Sequence, residues 1–345
     1  MFLDIFLVIL GLGLVAKGGD LFVDSSIQLG RALRVPRFVI GGTLVSLATT
    51  TPELVVSATA SSVGDSGIAL GNAVGSCICN IGLIVGTVAL MGPVTVDRNQ
   101  FGSRAGWMLA GGVLVIVFTW DRTLSRPLGA LLLGLALVYL AWDYLAIRRL
   151  KTAGASASGT ETDNEPLLRP ILIFLAGAGL IIVGSRLLVT SGQSLAAALG
   201  IPSAIIGFSV IALGTSLPEL VTGVTAARKG VPDLSLGNII GANVLNLFLI
   251  VGLSATIHPL ALEAFSQWYA FPWMVVFFGV VVSLIWRNGH VGHLAGRVLI
   301  ALYYFISRWF RRAVSPRFGL GQDASCSRAF NFSRSRGGSS CWPVC

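Results

Sequence analysis

Long apolar runs, each broken by only a few polar residues, follow one another along most of the chain. Runs of about 17–25 residues are enough to cross a ~30 Å hydrocarbon core as helices. Such runs centre near 2–16, 38–61, 68–90, 105–119, 127–147, 170–190, 203–227, 234–256, 268–286 and 294–310. The pattern predicts an all-α membrane protein of ten transmembrane helices, the first and last spans being the weakest. A β-barrel would require alternating strands of about ten residues, whereas these runs are apolar on every side.

Composition agrees with that reading. Apolar residues make up 54% of the chain and charged residues 11%, so a water-soluble globule would lack the polar residues to cover its surface. The start, Met1-Phe-Leu-Asp-Ile, has no basic segment, and no small-x-small site precedes Lys17. It reads as a first membrane helix and not as a cleaved signal. Cys77 and Cys79 lie two apart on a predicted helix and face different ways, and Cys326, Cys341 and Cys345 fall near the end. Neither a disulfide framework nor a zinc pattern results.

The net charge is +9, but its distribution points to topology and not to nucleic acid. Counting loops on alternate sides of ten spans, one side holds Lys17, Arg31, Arg34, Arg37, Arg98, Arg104, Arg148, Arg149, Lys151, Arg169, Arg228, Lys229, Arg287 and Arg297. The other, before the tail, holds Arg122, Arg126 and Arg186. The positive-inside rule makes the first side cytoplasmic, with loop 148–169, and leaves both termini outside a plasma or bacterial inner membrane. Arg308, Arg311, Arg312, Arg317, Arg328, Arg334 and Arg336 run against this assignment.

The chain is internally duplicated. Ala48-Thr-Thr-Thr-Pro-Glu53 returns 166 positions later (219 − 53) as Gly214-Thr-Ser-Leu-Pro-Glu219. Residues 36–93 lie on 202–259 without a gap, with identity at about two positions in five. Shared leucines would mean little, but Pro36/Pro202, Pro52/Pro218, Glu53/Glu219, Gly71/Gly237, Asn72/Asn238, Gly75/Gly241 and Asn80/Asn246 also coincide. An odd number of spans separates equivalent helices, so the copies are inverted repeats, an architecture of secondary transporters that bind at the midplane. This gives a first five-helix half at 1–150, a polar linker at 151–169, a second half at 170–312 and a disordered basic tail at 313–345.

Pro52 and Pro218 remove a helical hydrogen bond and disfavour helical geometry in the preceding residue. Each long span should therefore break at Thr50-Thr51 or Ser216-Leu217, with a glutamate in the first turn of the half-helix that follows. A carboxylate in hydrocarbon is functional by default, and open backbone at membrane depth must line a cavity or be buried in protein. The next helix of each copy brings Gly71-Asn-Ala-Val-Gly75 with Asn80, or Gly237-Asn-Ile-Ile-Gly241 with Asn246. Carboxylates, amide oxygens, hydroxyls and freed carbonyls form a hard-cation set suited to Ca²⁺, without thiolate or imidazole placed for a transition metal. His258, His290 and His293 fall near predicted loops, and Asp20, Asp24 and Arg186 are expected at interfaces.

These motifs resemble the α-repeats of the cation/Ca²⁺ exchanger superfamily, specifically the compact sodium/calcium antiporters typical of prokaryotes. The family pattern is approximately G-T-S-L-P-E, then G-N-x-x-G-S-N-x-x-N or -D. The resemblance covers both copies and, more loosely, the surrounding helices to about residue 310. It implies a secondary antiporter without enzymatic activity, resident cofactor or obligate protein partner. Ca²⁺ and Na⁺ would share a midplane site in the lipid bilayer, and the first and sixth helices would slide over the rest. Glu53 and Glu219, with the carbonyls of Thr49 and Thr215, would ligate Ca²⁺. Thr50, Ser216, Ser76, Asn80 and Asn246, with the backbone oxygens of Ser46 and Ala212, would line the Na⁺ and central positions.

Ala48 and Thr51 depart from the Gly and Leu of the first motif, and Ala242 stands where a serine is expected. Asn at both 80 and 246, where potassium-dependent relatives use Asp, argues against K⁺ co-transport. One Ca²⁺ neutralises two glutamates, whereas three Na⁺ would leave the site at +1. A desolvated glutamate can also take a proton, so H⁺ remains a rival counter-ion.

Overall fold

A computed structural model describes residues 2–152, 167–198, 214–262 and 266–313. The linker 153–166, the predicted site residue Ala212 and the tail from 314 onward lie outside the described residues.

The first half begins with α1 (Phe2–Leu33), followed by α2 (Arg37–Thr49) and α3 (Thr51–Ser62), which meet at a 44° bend. Then come α4 (Ser66–Met91), strand β1 (Val94–Thr95), α5 (Arg98–Phe118), strand β2 (Thr123–Leu124) and α6 (Arg126–Thr152). The second half runs α7 (Leu168–Ala198), α8 (Leu217–Arg228), α9 (Pro232–Ile257), β3 (Leu260–Ala261), α10 (Ser266–Asn288), β4 (His290–Val291) and α11 (His293–Ala313). Element bounds repeat at the sequence offset. Adding 166 to 51–62, 66–91 and 94–95 gives 217–228, 232–257 and 260–261, the observed α8, α9 and β3.

The short strands show that the copies are inverted. β1 pairs with β4 (Val94 with Val291), and β2 pairs with β3 (Leu124 with Leu260). Helix α5, 21 residues and about 31 Å long at 1.5 Å per residue, separates β1 from β2. Its repeat-related partner β3 thus sits with β2, at the end of the molecule away from β1. Strands of two residues leave no alternation in the sequence, so the hydrophobic pattern does not predict them.

Among the described residues, seven helices are long and apolar enough to cross a membrane, and the bent α2–α3 pair makes eight. The expected spans at 203–227 and 294–310 are not among them. Residues 199–213, before α8, lie outside the described residues, and α11 carries Arg297, Arg308, Arg311 and Arg312 along its length. Helix α1 also runs far beyond the expected 2–16. Lys17, Asp20 and Asp24 are helical, so Lys17 does not belong to a loop as the charge count assumed. The three histidines are exposed at element ends, and Arg186 is exposed on α7.

Glycine sets how closely the copies meet. A Cβ on Gly18 of α1 would lie 2.8 Å from Leu180 Cβ of α7, and one on Gly184 of α7 would lie 2.8 Å from Val15 of α1. Gly18 and Gly184 are equivalent positions (18 + 166 = 184), so α1 and α7 cross about a pseudo-two-fold axis. At the centre, a Cβ on Gly237 or Gly241 of α9 would collide with the carbonyls of Phe38 or Gly42 in α2. Backbone packed on backbone brings polar groups of one copy into hydrogen-bond range of the other.

Candidate functional site

Glu53 occupies the first turn of α3 directly after Pro52, and Glu219 the first turn of α8 after Pro218. Proline at the second helical position has no N–H to leave unbonded and fixes the helical φ. It starts a new helix where the previous one stops, and the acid follows. Thr50 marks the bend in the first copy and Ser216 the turn in the second. Both glutamates are completely buried, and the Glu219 carboxylate lies beside Thr49 and Glu53.

Hydrogen bonds between the copies fasten the two breaks. Thr49 Oγ1 donates to Asn238 Oδ1 at 3.1 Å, and Thr215 Oγ1 donates to Asn72 Oδ1 at 3.0 Å. These are one bond written twice, since 49 + 166 = 215 and 72 + 166 = 238. Asn72 Nδ2 also donates to the Glu53 carbonyl at 3.1 Å and to Ser57 Oγ at 2.9 Å. Asn72 and Asn238 join the expected site residues, and their signal in the sequence is the asparagine that follows a glycine at the same point of both copies. They orient the threonines and, through Asn72, the backbone at the glutamate.

The remaining expected residues gather unevenly. Ser216 Oγ lies 3.5 Å from Glu53 Oε1 and 3.1 Å from Ser76 Oγ, joining the break of one copy to α4 of the other. Ala242, equivalent to Ser76 (76 + 166 = 242), is buried and brings no hydroxyl. The Ser46 carbonyl accepts the Thr50 N–H at 2.9 Å and also the Thr50 hydroxyl, so in this conformation its two lone pairs and the Thr50 proton serve the helix end. Asn80 Nδ2 donates to Asn243 Oδ1 at 3.0 Å, and Asn246 lies against Cys77. Asn80 and Asn246 each begin a π-helical turn, Asn80–Val85 and Asn246–Ile250. Such turns concentrate at functional sites, but one extra residue per turn left no mark that sequence reading could find.

Several buried oxygens here have no hydrogen-bond partner among the described residues: Glu53 Oε2, both carboxylate oxygens of Glu219, Asn80 Oδ1 and Asn246 Oδ1. Buried polar atoms are nearly always paired, and an unpaired one costs about 1–3 kcal/mol. Two adjacent carboxylates and two neutral amide oxygens, shielded from water, satisfy that demand when they surround a hard cation. No cluster of three His, Cys, Asp or Glu side chains capable of holding a metal occurs among the described residues, so the donor set relies on neutral oxygens.

Arg104 corrects the charge count. It is 3% exposed in α5, where it pairs with Asp143 of α6, also buried. Its guanidinium lies 5.7 Å from the ring centres of both Phe38 and Trp142. It is not a loop charge, and counting by sequence position alone could not register its depth.

The sodium/calcium exchanger protein family model matches residues 3–145 and 169–310. The chain is similar to the sodium/calcium exchanger MaX1 of Methanosarcina acetivorans, at 33% identity covering 86% of this chain and 95% of that protein. It is 35% identical to the inner membrane protein YrbG of Escherichia coli, over 84% of this chain and 90% of that one. Solved structures of the sodium-calcium exchanger NCX_Mj superimpose as well, one of them with a TM-score of 0.78 at 30% identity over 90% of this chain and 99% of the other. With duplicated halves, inverted strands and acids at both breaks already established, this match over nearly the whole length means that the chain belongs to the sodium/calcium exchanger protein family.

Proposed function

We propose that this protein is a secondary antiporter that exchanges Ca²⁺ for Na⁺ across a membrane by alternating access, with Glu53 and Glu219 forming the shared cation site. The observation that carries this reading is the meeting of two fully buried glutamates from equivalent points of inverted copies, with three of their four carboxylate oxygens lacking a hydrogen-bond partner among the described residues. Two ionised carboxylates in a low-dielectric interior repel strongly unless positive charge sits between them. One Ca²⁺ neutralises the pair, and Na⁺ ions accept the same oxygen ligands, so the two cations compete and do not bind together. Loading by three Na⁺ leaves the site at +1, which makes the cycle electrogenic.

In this reading the helix breaks let the site face either side in turn, because each copy approaches it from the opposite end. Ten spans place both termini outside and residues 148–169 in the cytoplasm. Ca²⁺ is bound by Glu53, Glu219 and the carbonyls of Thr49 and Thr215. Thr50, Ser76, Ser216, Asn80, Asn246 and the carbonyls of Ser46 and Ala212 serve Na⁺ and the central position. Ala242 removes one hydroxyl from the second copy, which favours comparison with proton-coupled calcium exchange through the same glutamates.

The deciding experiment is radioactive calcium uptake into liposomes containing the purified full chain, driven by an outward Na⁺ gradient or separately by an outward H⁺ gradient. Uptake that follows Na⁺ and disappears in Glu53→Gln and Glu219→Gln is the expected result. Uptake that ignores Na⁺ and follows H⁺ would replace the sodium assignment. Uptake indifferent to both substitutions would remove the site.

A further inference from the structure

Asn243 is a fully buried polar residue that the proposed cation ligands do not include. Its Nδ2 faces Met108 Sδ at 3.7 Å, and its Oδ1 accepts Asn80 Nδ2 at 3.0 Å. A thioether accepts hydrogen bonds weakly and cannot donate. Met108 therefore fixes which end of the Asn243 amide faces it, and Asn243 in turn fixes the Asn80 amide. The nitrogen of Asn80 is held away and its Oδ1, buried and without a hydrogen-bond partner among the described residues, is left on the other side. Asn80 lies one turn beyond Ser76, which contacts Ser216 beside Glu53, so the two residues share the helix face that lines the glutamate pair.

The second copy lacks this arrangement. Met274 stands where Met108 does (108 + 166 = 274), and both are fully buried. Position 77, however, equivalent to 243, is cysteine. Its thiol donates to the Asn243 carbonyl at 3.9 Å, which leaves toward the Asn246 amide only a sulfur, a weak acceptor, in place of the amide oxygen that holds Asn80. Neither Nδ2 nor Oδ1 of Asn246 has a hydrogen-bond partner among the described residues.

We propose that Asn243 is a positioning residue for cation binding: oriented by Met108, it holds the Asn80 side-chain oxygen ready as a ligand, while Asn246 opposite is left unset. This rests on the reading of Glu53 and Glu219 as the cation site. A released Asn80 amide turns its NH₂ toward the carboxylates, to which it can donate, and the fraction presenting oxygen falls well below half. Apparent affinity falls with that fraction. Asn243→Cys, which copies the residue the fold accepts at position 77, raises the half-saturating Ca²⁺ concentration about tenfold while the maximal rate stays within about twofold. Cys77→Asn supplies the missing clamp for Asn246 and lowers the half-saturating concentration about threefold, a gain that a purely structural role for Asn243 does not predict.

The test measures Na⁺-driven calcium uptake by the full chain in liposomes for the parent, Asn243→Cys, Cys77→Asn and Glu53→Gln. In parallel, the Ca²⁺ dependence of thermal unfolding is followed in detergent. If the parent transports and Asn243→Cys stays within twofold of its half-saturation, the positioning role is overturned and the exchange function stands. If the parent transports nothing, the functional reading fails, and the unfolding series then decides, an unchanged Ca²⁺ midpoint in Asn243→Cys overturning the proposal. If Asn243→Cys does not fold, Cys77→Asn decides alone, and a midpoint equal to or above the parent's overturns it.

Discussion

The two copies of the repeat share a frame but differ in what surrounds it. Thr49–Asn238 and Thr215–Asn72 are the same bond at nearly the same length, and both glutamates are equally buried. Around them, Ser76 corresponds to Ala242, and Cys77 to Asn243. The Arg104–Asp143 pair has no counterpart, since offset 166 places Ala270 opposite Arg104 and offset 167, after one inserted residue, places Phe310 opposite Asp143. The bonds that join the two copies at Thr49 and Thr215 are duplicated. Groups that tune or brace one side are not, which allows the copies to do different work within a symmetric scaffold.

The sharpest way to break the comparison is to remove the brace peculiar to the first copy. Arg104 packs against Phe38 and Trp142, and Gly42 of α2 lies against its side chain. Asp143→Ala leaves an uncompensated buried guanidinium, which costs about 3–5 kcal/mol. A large drop in the thermal unfolding midpoint in detergent is expected, and the double variant Arg104→Met/Asp143→Leu should recover most of it. If Asp143→Ala unfolds at the parent's temperature, the pair is not a brace. Next in size, Glu53→Gln and Glu219→Gln should each lower calcium uptake at least about a hundredfold, roughly 2.7 kcal/mol. Equal losses are expected even though Glu53 alone has Ser216 nearby. A variant retaining more than a tenth of parent activity would show that the two acids are not equivalent.

Much of this frame was legible in the sequence because it depends on residue types that hydrocarbon disfavours. Pro52 and Pro218 marked where α3 and α8 begin, and the shared offset predicted an inversion that the strand pairing bears out. What stayed hidden has physical reasons. Thr49 and Asn238 are 189 positions apart, and a bond between copies has no linear signature. The π-helical turns at Asn80 and Asn246 shift the register without altering composition. Arg104 was counted as a loop charge because a charge near a helix end looks the same in sequence whether it faces water or pairs with Asp143 inside.

A smaller contrast sharpens the comparison at the site itself. Ser76 Oγ meets Ser216 Oγ at 3.1 Å, whereas Ala242 gives the equivalent place no oxygen. Ala242→Ser restores one neutral ligand, and a single such hydrogen-bonding group contributes about 0.5–1.5 kcal/mol. The half-saturating Na⁺ concentration in uptake should fall about three- to tenfold, with little change for Ca²⁺ if the hydroxyl serves Na⁺ alone. An equal shift for both ions would place position 242 in the shared shell. No shift for either would remove it from the site.

The weakest asymmetry lies at the surface and concerns only one end of the molecule. Lys229, just after α8, reaches Asp24 at 2.9 Å and Asp20 at 3.4 Å on successive turns of α1. The corresponding residues of the other copy are Val63, Thr190 and Arg186 (229 − 166, 24 + 166 and 20 + 166), which form no such pair. The hydrogen bond to Asp24 raises the Lys229 pKa above the ordinary lysine value. A raised ammonium pKa contributes stability that is complete below the unfolded value, about 10.4, and is lost as pH climbs through the folded one. The pair is largely exposed and screened by salt, so Lys229→Met should cost no more than about 0.2–1 kcal/mol. The difference between parent and Lys229→Met in detergent unfolding should therefore stay constant from about pH 7 to 9 and shrink as pH climbs beyond the unfolded lysine value, about 10.4. It should also shrink in high salt. A difference that does not shrink at high pH or in high salt would assign the effect to packing of the lysine stem against α1, and the ion pair would then have no part in holding α1 to α8.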